Sequence, residues 1–482
     1  MTAILIATIG TRDLMFQISS GLWYSIGDFT ERVQVINDLG LDEKITHRDL
    51  TQYLSDRLEQ YLDRIKPVIM GKLLTEQANQ IEQLYLVGTN QLPTVIQRNK
   101  DTIYSCNILK AWVEKNLSIP TKILPLGEKG TDPSNFEAMF EWWRKTWREE
   151  IESAAGLEIW LGLKGGVGQT SEAGRTSGLS LYGERIKFFE FHENERNNQA
   201  GKPSDYTGPF LGTNYLWDRT QQQALGLLDR FDYAGAKELL KPYFHAKNLG
   251  DVSDLLEAGI AWNRGEFHVF STLVSAHTLD SPHQAQSQTW WWMAYEQAYL
   301  AVVRLEQNNV AEAMLHSFRA VEGGLLEWAK VTLGDNFHDD QKDSPIVFKS
   351  ILESHSSKKL REAFKNKKID GGEIEPHVIW MLISVQREIL KVSLPAALKG
   401  DFEYFWSKDC KNIRNRLSHR LGGMSAPELL QAWGEDLQDR SQWQARLLGC
   451  LNILTGQSFS TLDRASLFTS VHNRIRKAIE LS

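Results

Sequence analysis

Six consecutive residues, Arg414-Asn415-Arg416-Leu417-Ser418-His419, carry the side chains in this chain best suited to acid–base chemistry on a phosphate ester. A histidine titrates near neutrality, so it can take a proton from a hydroxyl or give one to a departing oxygen. An arginine presents a fixed fork of donors that matches a phosphate and the charge developing on it. These are the groups needed to cleave RNA without a metal. The ribose 2′-hydroxyl attacks the adjacent phosphorus, the 5′-oxygen leaves, and the product ends in a 2′,3′-cyclic phosphate. DNA lacks that internal nucleophile and should resist. Asn415 places a polar group directly after Arg414.

Around these residues Lys408, Lys411, Arg414, Arg416 and Arg420 stand against a single acid, Asp409. This is a compact basic patch in a chain of formal net charge −7. The overall balance argues against a protein that coats nucleic acid along a long basic groove, because such affinity is mostly phosphate neutralisation. The competing structural reading is a solvated basic helix face whose terminal histidine is favoured by the helix dipole.

Positioning these groups falls to a helix expected over 402–421, with Phe405, Cys410, Ile413 and Leu417 toward a core and Gly422-Gly423 ending it. Residues five apart on a regular helix lie about 140° apart around its axis. Arg414 and His419 therefore do not share one face. Either the helix is distorted there, or two copies of the chain contribute jointly. A symmetric homodimer is the simpler solution, since one histidine would otherwise do both acid and base work.

A second set of candidate residues lies far upstream. Short apolar runs at Ala3–Ala7, Leu84–Val87, Ile123–Leu126, Ile159–Leu163 and Ile186–Phe191 read as strands, with Pro125 marking the third as an edge. Between them, Leu50, Leu54, Leu58, Tyr61, Leu62 and Ile65 fit one helix face, as do Ile103, Leu109, Trp112 and Val113. Ser134 and Glu137 form a capping box ahead of Phe136, Phe140, Trp143 and Trp147. Alternating strands and helices imply an open, mostly parallel, Rossmann-like sheet covered on both faces.

In such sheets ligands bind beyond the carboxyl ends of the strands. Three loops there are small and polar: Gly10-Thr11-Arg12-Asp13, Gly88-Thr89-Asn90-Gln91, and Lys164-Gly165-Gly166-Val167-Gly168-Gln169-Thr170-Ser171. Glycines admit close backbone approach, hydroxyls and amides donate to phosphate, and a following helix offers its N-terminus to anions. The third loop is similar to the deviant phosphate loop KGGxGKT. Gln169 stands where that loop has its second lysine, which argues against ATP hydrolysis. A phosphate-bearing ligand that is not hydrolysed in that way remains attractive.

The polar stretch His192–Pro209 reads as a linker, and helical pattern follows. Leu225 to Leu240 reads as a helix pair broken near Asp232-Tyr233. Trp290–Leu305 pairs as a hairpin with a stripe of Met314, Phe318, Val321, Leu325 and Trp328 across Asn308-Asn309. The expected class is α/β plus all-α: a sheet domain over 1–195, a helical connector over 196–284, and an all-helical domain over 285–482.

Cys106, Cys410 and Cys450 match no zinc or redox spacing, and His192, His245 and His377 stand alone, so neither metal nor cofactor is expected. The apolar run Ala3–Ile9 is too short and lacks the basic lead of a signal peptide, and no run approaches the roughly 18 apolar residues of a membrane span. A cytoplasmic location is the expectation.

On these motifs and their order, the chain resembles the CRISPR-associated ribonucleases that join a CARF sensor domain to a HEPN nuclease domain. Arg414 to His419 matches the HEPN pattern R-x4-6-H with a polar residue after the arginine, and Glu322 on an upstream helix fits the same family. Gly10-Thr11-Arg12, Gly88-Thr89-Asn90 and the Lys164 to Ser171 loop look like CARF ligand loops. The resemblance covers 1–195 and 285–482. It implies catalytic roles for Arg414, Asn415 and His419. It also implies activator contacts from Gly10, Thr11, Arg12, Gly88, Thr89, Asn90, Lys164, Gly165, Gly166, Gly168, Gln169 and Thr170.

The implied activity is degradation of single-stranded RNA by a HEPN homodimer, in type III CRISPR antiviral defence. The implied allosteric activator is a cyclic oligoadenylate of four or six units, which Thr11, Thr89 and Lys164 could also slowly cleave. Two other readings stay open: a nucleotide-binding regulatory or scaffold protein with non-catalytic helices, and a nucleoside-triphosphate switch using Lys164–Ser171.

Overall fold

The run Ala3–Thr8 is buried at all six positions, so it must lie in the middle of a sheet covered on both faces. In the computed structural model it does. The described residues are 2–151, 157–194, 198–275, 285–333, 337–338, 346–347, 401, 404–405 and 407–482. The strands needed for the account are β1 (Ala3–Thr8), β2 (Leu14–Gln17), β3 (Trp23–Ser25), β4 (Ile65–Pro67), β5 (Ile81–Thr89), β6 (Thr121–Leu126), β7 (Glu158–Gly162), β8 (Ile186–His192) and β9 (Asp205–Leu211).

The main sheet has the order β6-β5-β1-β7-β8-β9, parallel except for β9. Alternate residues of β1 enter opposite cores. Ala3, Leu5 and Ala7 meet Ile108, Leu109 and Val113 of the Ile103–Leu117 helix and Leu50 and Leu54 of the His47–Ser55 helix. Ile4 and Ile6 meet Met139, Trp143 and Trp147 on the other side, together with Ala173 of the Gly168–Tyr182 helix. Pro125 is tolerated because β6 is an edge. The chain packs as two compact units, 1–219 and 220–482.

Several expectations need correction. Part of the expected linker His192–Pro209 is strand: β9 pairs antiparallel with β8 as the other edge, where Pro209 costs no ladder bond. The single helix read from Leu50 to Ile65 is broken. It ends at Ser55, a separate short helix covers Leu58–Tyr61 and tightens over Leu62–Arg64, and Ile65 enters β4, where it pairs with Phe16. Helix and strand bury their apolar residues in the same core, so the pattern runs on through the break. β2, β3 and β4 form a small antiparallel sheet that the sequence reading did not contain. The cap of the Phe136–Thr146 helix is Asn135, whose Oδ1 accepts the Ala138 amide at 3.0 Å. Ser134 cannot serve because its amide and hydroxyl both donate to Asp132, at 2.8 and 2.7 Å.

In residues 220–482, Asp232 caps Tyr233–Leu240 as the expected break implies. Trp292–Glu306 and Val310–Leu333 form the expected hairpin, with Asn308 in the left-handed region at the turn. Glu296 is fully buried and ties the last helix to this hairpin. Its carboxylate accepts from Trp262 Nε1 at 2.8 Å, Ser466 Oγ at 2.6 Å and the Leu467 amide at 2.6 Å. Burial pushes its pKa up to about 7 against those bonds. Among the described residues no helix is long and apolar enough to cross a membrane.

Candidate ligand cleft and candidate nuclease site

The loops leaving β1, β5, β6 and β7 surround a cleft of about 570 Å³ at the carboxyl ends of the strands. Gly10 and Thr11 line it after β1, Thr89 and Gln91 at the end of β5, Thr131 and Ser134 after β6, and Gly166 and Val167 after β7. The β1 and β7 loops touch backbone to backbone. A Cβ on Gly165 would lie 2.4 Å from Gly10 N and 2.5 Å from Thr8 O, so only glycine fits. Beneath them Asp13 accepts the Gly10 amide at 2.6 Å. Its burial raises its pKa to about 7, opposed by that bond and assisted by Glu193.

The β5 loop is held from behind. Arg48, buried, donates to Asp101 Oδ2 and to Asn90 Oδ1, each at 2.9 Å. Asp101 also accepts from the Gln91 amide at 2.6 Å and from Gln91 Nε2 at 2.9 Å. Thr102 donates its amide to Thr89 Oγ1 at 3.1 Å and its hydroxyl to Ile9 O at 2.9 Å, which joins the β5 and β1 loops.

Of the twelve loop residues expected to contact an activator, Gly10, Thr11, Thr89 and Gly166 line the cleft. Arg12 is exposed and lies 3.5 Å from Asp28. Gly88 packs where a Cβ would strike Cys106 Sγ at 2.4 Å, and Asn90 donates to Glu128 at 2.7 Å. Gly165 supports the loop contact already described. Lys164, Gly168 and Gln169 are exposed near the mouth of the Gly168–Tyr182 helix, which has no side-chain cap. Thr170 is buried, and its hydroxyl donates to Pro133 O at 3.1 Å. That hydroxyl is the one a nucleoside-triphosphate loop would use for magnesium, which weighs against that reading.

Sequence reasoning missed the β6 loop and Gln97, Lys100 and Thr102 as lining residues. The run Gly127-Glu128-Lys129-Gly130-Thr131-Asp132-Pro133-Ser134 carried the same glycine and hydroxyl signal at a strand end and could have been found by it.

The second site is built on the Lys408–Ser418 helix, capped by Ser407, whose Oγ accepts the Cys410 amide. It is shorter than the expected 402–421. His419 is its C-cap, and Phe402 lies outside the described residues. Cys410, Arg414 and Leu417 are buried and Ile413 half-buried, the stripe that seats the helix. Arg414 is 7% exposed. Its guanidinium lies 4.3 Å from the Phe318 ring centre and 4.6 Å from that of Phe405, and Nη2 donates to Phe405 O at 2.8 Å.

Trp433 stacks on Phe318 at 4.9 Å and donates Nε1 to Ser317 Oγ, which fixes the ring that faces the guanidinium. Glu322 approaches Arg414 Nη1 at 3.8 Å. Burial lowers the Arg414 pKa and raises that of Glu322, each opposed by the other's charge.

His419 and Asn415 are exposed. The helix is regular up to the cap, so Arg414 turns into the core while His419 opens to solvent. Within this chain the structure does not bring the two together. His192 is exposed beside Thr207, and His377 lies outside the described residues. Among the described residues no three His, Cys, Asp or Glu side chains gather as metal ligands.

No family model and no curated protein sequence matches the chain significantly. Among solved structures, Enterococcus italicus Csm6 bound to cyclic hexa-2′-fluoro-hexa-dAMP is similar over the full length. The likeness covers 99% of this chain and 100% of that one, with a TM-score of 0.61 at 12% sequence identity. The chain has the fold of that protein, a mostly parallel sheet followed by a helical region.

Proposed function

We propose that this protein is an endoribonuclease switched on by a cyclic oligoadenylate. The observation that carries the reading is the cleft of glycine, threonine and glutamine groups at the strand ends, in a chain whose whole-length fold is that of a protein solved with a cyclic adenylate analogue. Backbone amides and hydroxyls suit phosphodiesters, and the exposed Arg12, Lys100 and Lys164 supply positive charge around the cleft. The ligand of the similar structure has six units, which makes cyclic hexa-adenylate the first ring to test.

Cleavage is assigned to Arg414, Asn415 and His419. His419 takes the 2′-hydroxyl proton from the RNA, and a second His419 from a partner copy gives a proton to the leaving 5′-oxygen. The phosphorus gains the 2′-oxygen bond and loses the 5′-oxygen bond, leaving a 2′,3′-cyclic phosphate and a free 5′-hydroxyl. Asn415 donates to a phosphate oxygen. Arg414 seats the helix and contributes its charge from behind. The reaction as written needs no metal, so cleavage persists in a chelator, and a homodimer is the active form.

The binding half is tested by thermal unfolding with cyclic hexa-adenylate, cyclic tetra-adenylate and ATP. Ligand at about 100 times its dissociation constant stabilises the folded state by about 2.7 kcal/mol, a rise in Tm of a few degrees. A shift with a cyclic oligoadenylate and none with ATP is expected. A shift with ATP alone contradicts the reading and favours a nucleoside-triphosphate switch.

A further inference from the structure

The reading of the site as a ribonuclease leaves open which guanidinium meets the scissile phosphate. We propose that it is Arg416, which shares an exposed face of the Lys408–Ser418 helix with Asn412, Asn415 and His419. The proposal rests on the ribonuclease reading. Positions 412, 415, 416 and 419 follow the spacing i, i+3, i+4, i+7, which places four residues on one helix face. All four are exposed, whereas Cys410, Arg414 and Leu417 face the core. The face reaches the cap, because the His419 amide still bonds to Asn415 O, although the His419 backbone itself has left the helix at φ −103 and ψ 4.

The two other arginines of the basic patch are engaged. The Arg414 guanidinium is enclosed by Phe318, Phe405 and the Phe405 carbonyl. Arg420 is held by Glu428 through two bonds, at 2.7 and 3.0 Å. Arg416 has no hydrogen bond or ion pair among the described residues. A guanidinium three residues before the histidine lies about 60° from it around the axis, so both can reach one phosphodiester. Arg414 lies about 140° away. Asn412 and Asn415 extend the face with amides that donate to flanking phosphate or ribose oxygens. The face thus presents a donor fork, two amides and an imidazole to one RNA strand, and the buried arginine holds the helix that carries them.

The test uses the full chain with saturating cyclic oligoadenylate and a fluorescent single-stranded RNA. Arg416→Ala lowers kcat by about 100-fold, the scale of losing one charged donor to a developing oxyanion. The Tm and the dimer fraction stay unchanged, KM changes little, and added guanidinium ion restores part of kcat. Arg416→Lys keeps an intermediate rate. A kcat of Arg416→Ala within threefold of wild type, with His419→Ala inactive, overturns the Arg416 assignment and leaves the ribonuclease reading standing. A loss that guanidinium ion does not restore and that follows a fall in Tm or dimer fraction also overturns it. Wild-type protein with no activity toward any RNA overturns both.

Discussion

Asp13 holds its carboxylate under the Gly10 amide at the floor of the cleft, with a pKa raised to about 7 by burial. Its neighbours sharpen what that means for an anionic ligand. Glu193 repels its charge, and the Cys106 thiol nearby is itself pushed up by burial and stays neutral. A phosphodiester placed against Gly10 would raise the Asp13 pKa further, so binding takes up protons. Activator affinity should therefore increase as pH falls from 8 to 6, and Asp13→Asn should flatten that dependence. Titration calorimetry across that range measures it, and an affinity that falls with falling pH contradicts the assignment. The same linkage makes Asp13 and Glu296 cost stability as pH rises from their unfolded values toward 7.

At this scale the sequence marked chemistry better than placement. Arg414 and His419 were legible as a pair of types. That the arginine is enclosed by Phe318 and Phe405 was not, because Phe318 comes from a distant helix and Phe405 packs from outside the Lys408–Ser418 helix.

The β1 and β7 loops test the account at the level of elements. Gly165 sits where a Cβ would lie 2.4 Å from one backbone nitrogen and 2.5 Å from a backbone oxygen, neither of which can move alone. Gly165→Ala should force the loops apart at a cost of about 1–3 kcal/mol, read as a lowered urea midpoint. It should also weaken activator binding more than tenfold while leaving the helical unit folded. Unchanged binding would detach these loops from the ligand.

The central strands and the helical hairpin were readable because continuous burial and a clean period each dictate one structure. The edges were not. β9 is mostly exposed, so it lacks an apolar signature, and β2 to β4 are too short to show a period. The break between Ser55 and Ile65 was hidden because helix and strand bury their apolar residues in one core. The β6 loop went unread although its glycines and hydroxyls repeat the pattern of the other three.

For the whole molecule, the two contact-defined units divide the proposed labour: the first carries the cleft and the second carries the basic helix. The order and spacing of the motifs suggested that division, and the full-length likeness to Csm6 is one of fold. The central claim is that a ligand in the first unit turns on cleavage in the second. The direct measurement is the rate of cleavage of single-stranded RNA in chelator, with and without cyclic hexa-adenylate or cyclic tetra-adenylate, for wild type and His419→Ala. The account predicts a rate increase of tenfold or more with one ring, products bearing 2′,3′-cyclic phosphate, and no cleavage by His419→Ala. Cleavage that is indifferent to either ring, or that survives in His419→Ala, would contradict it.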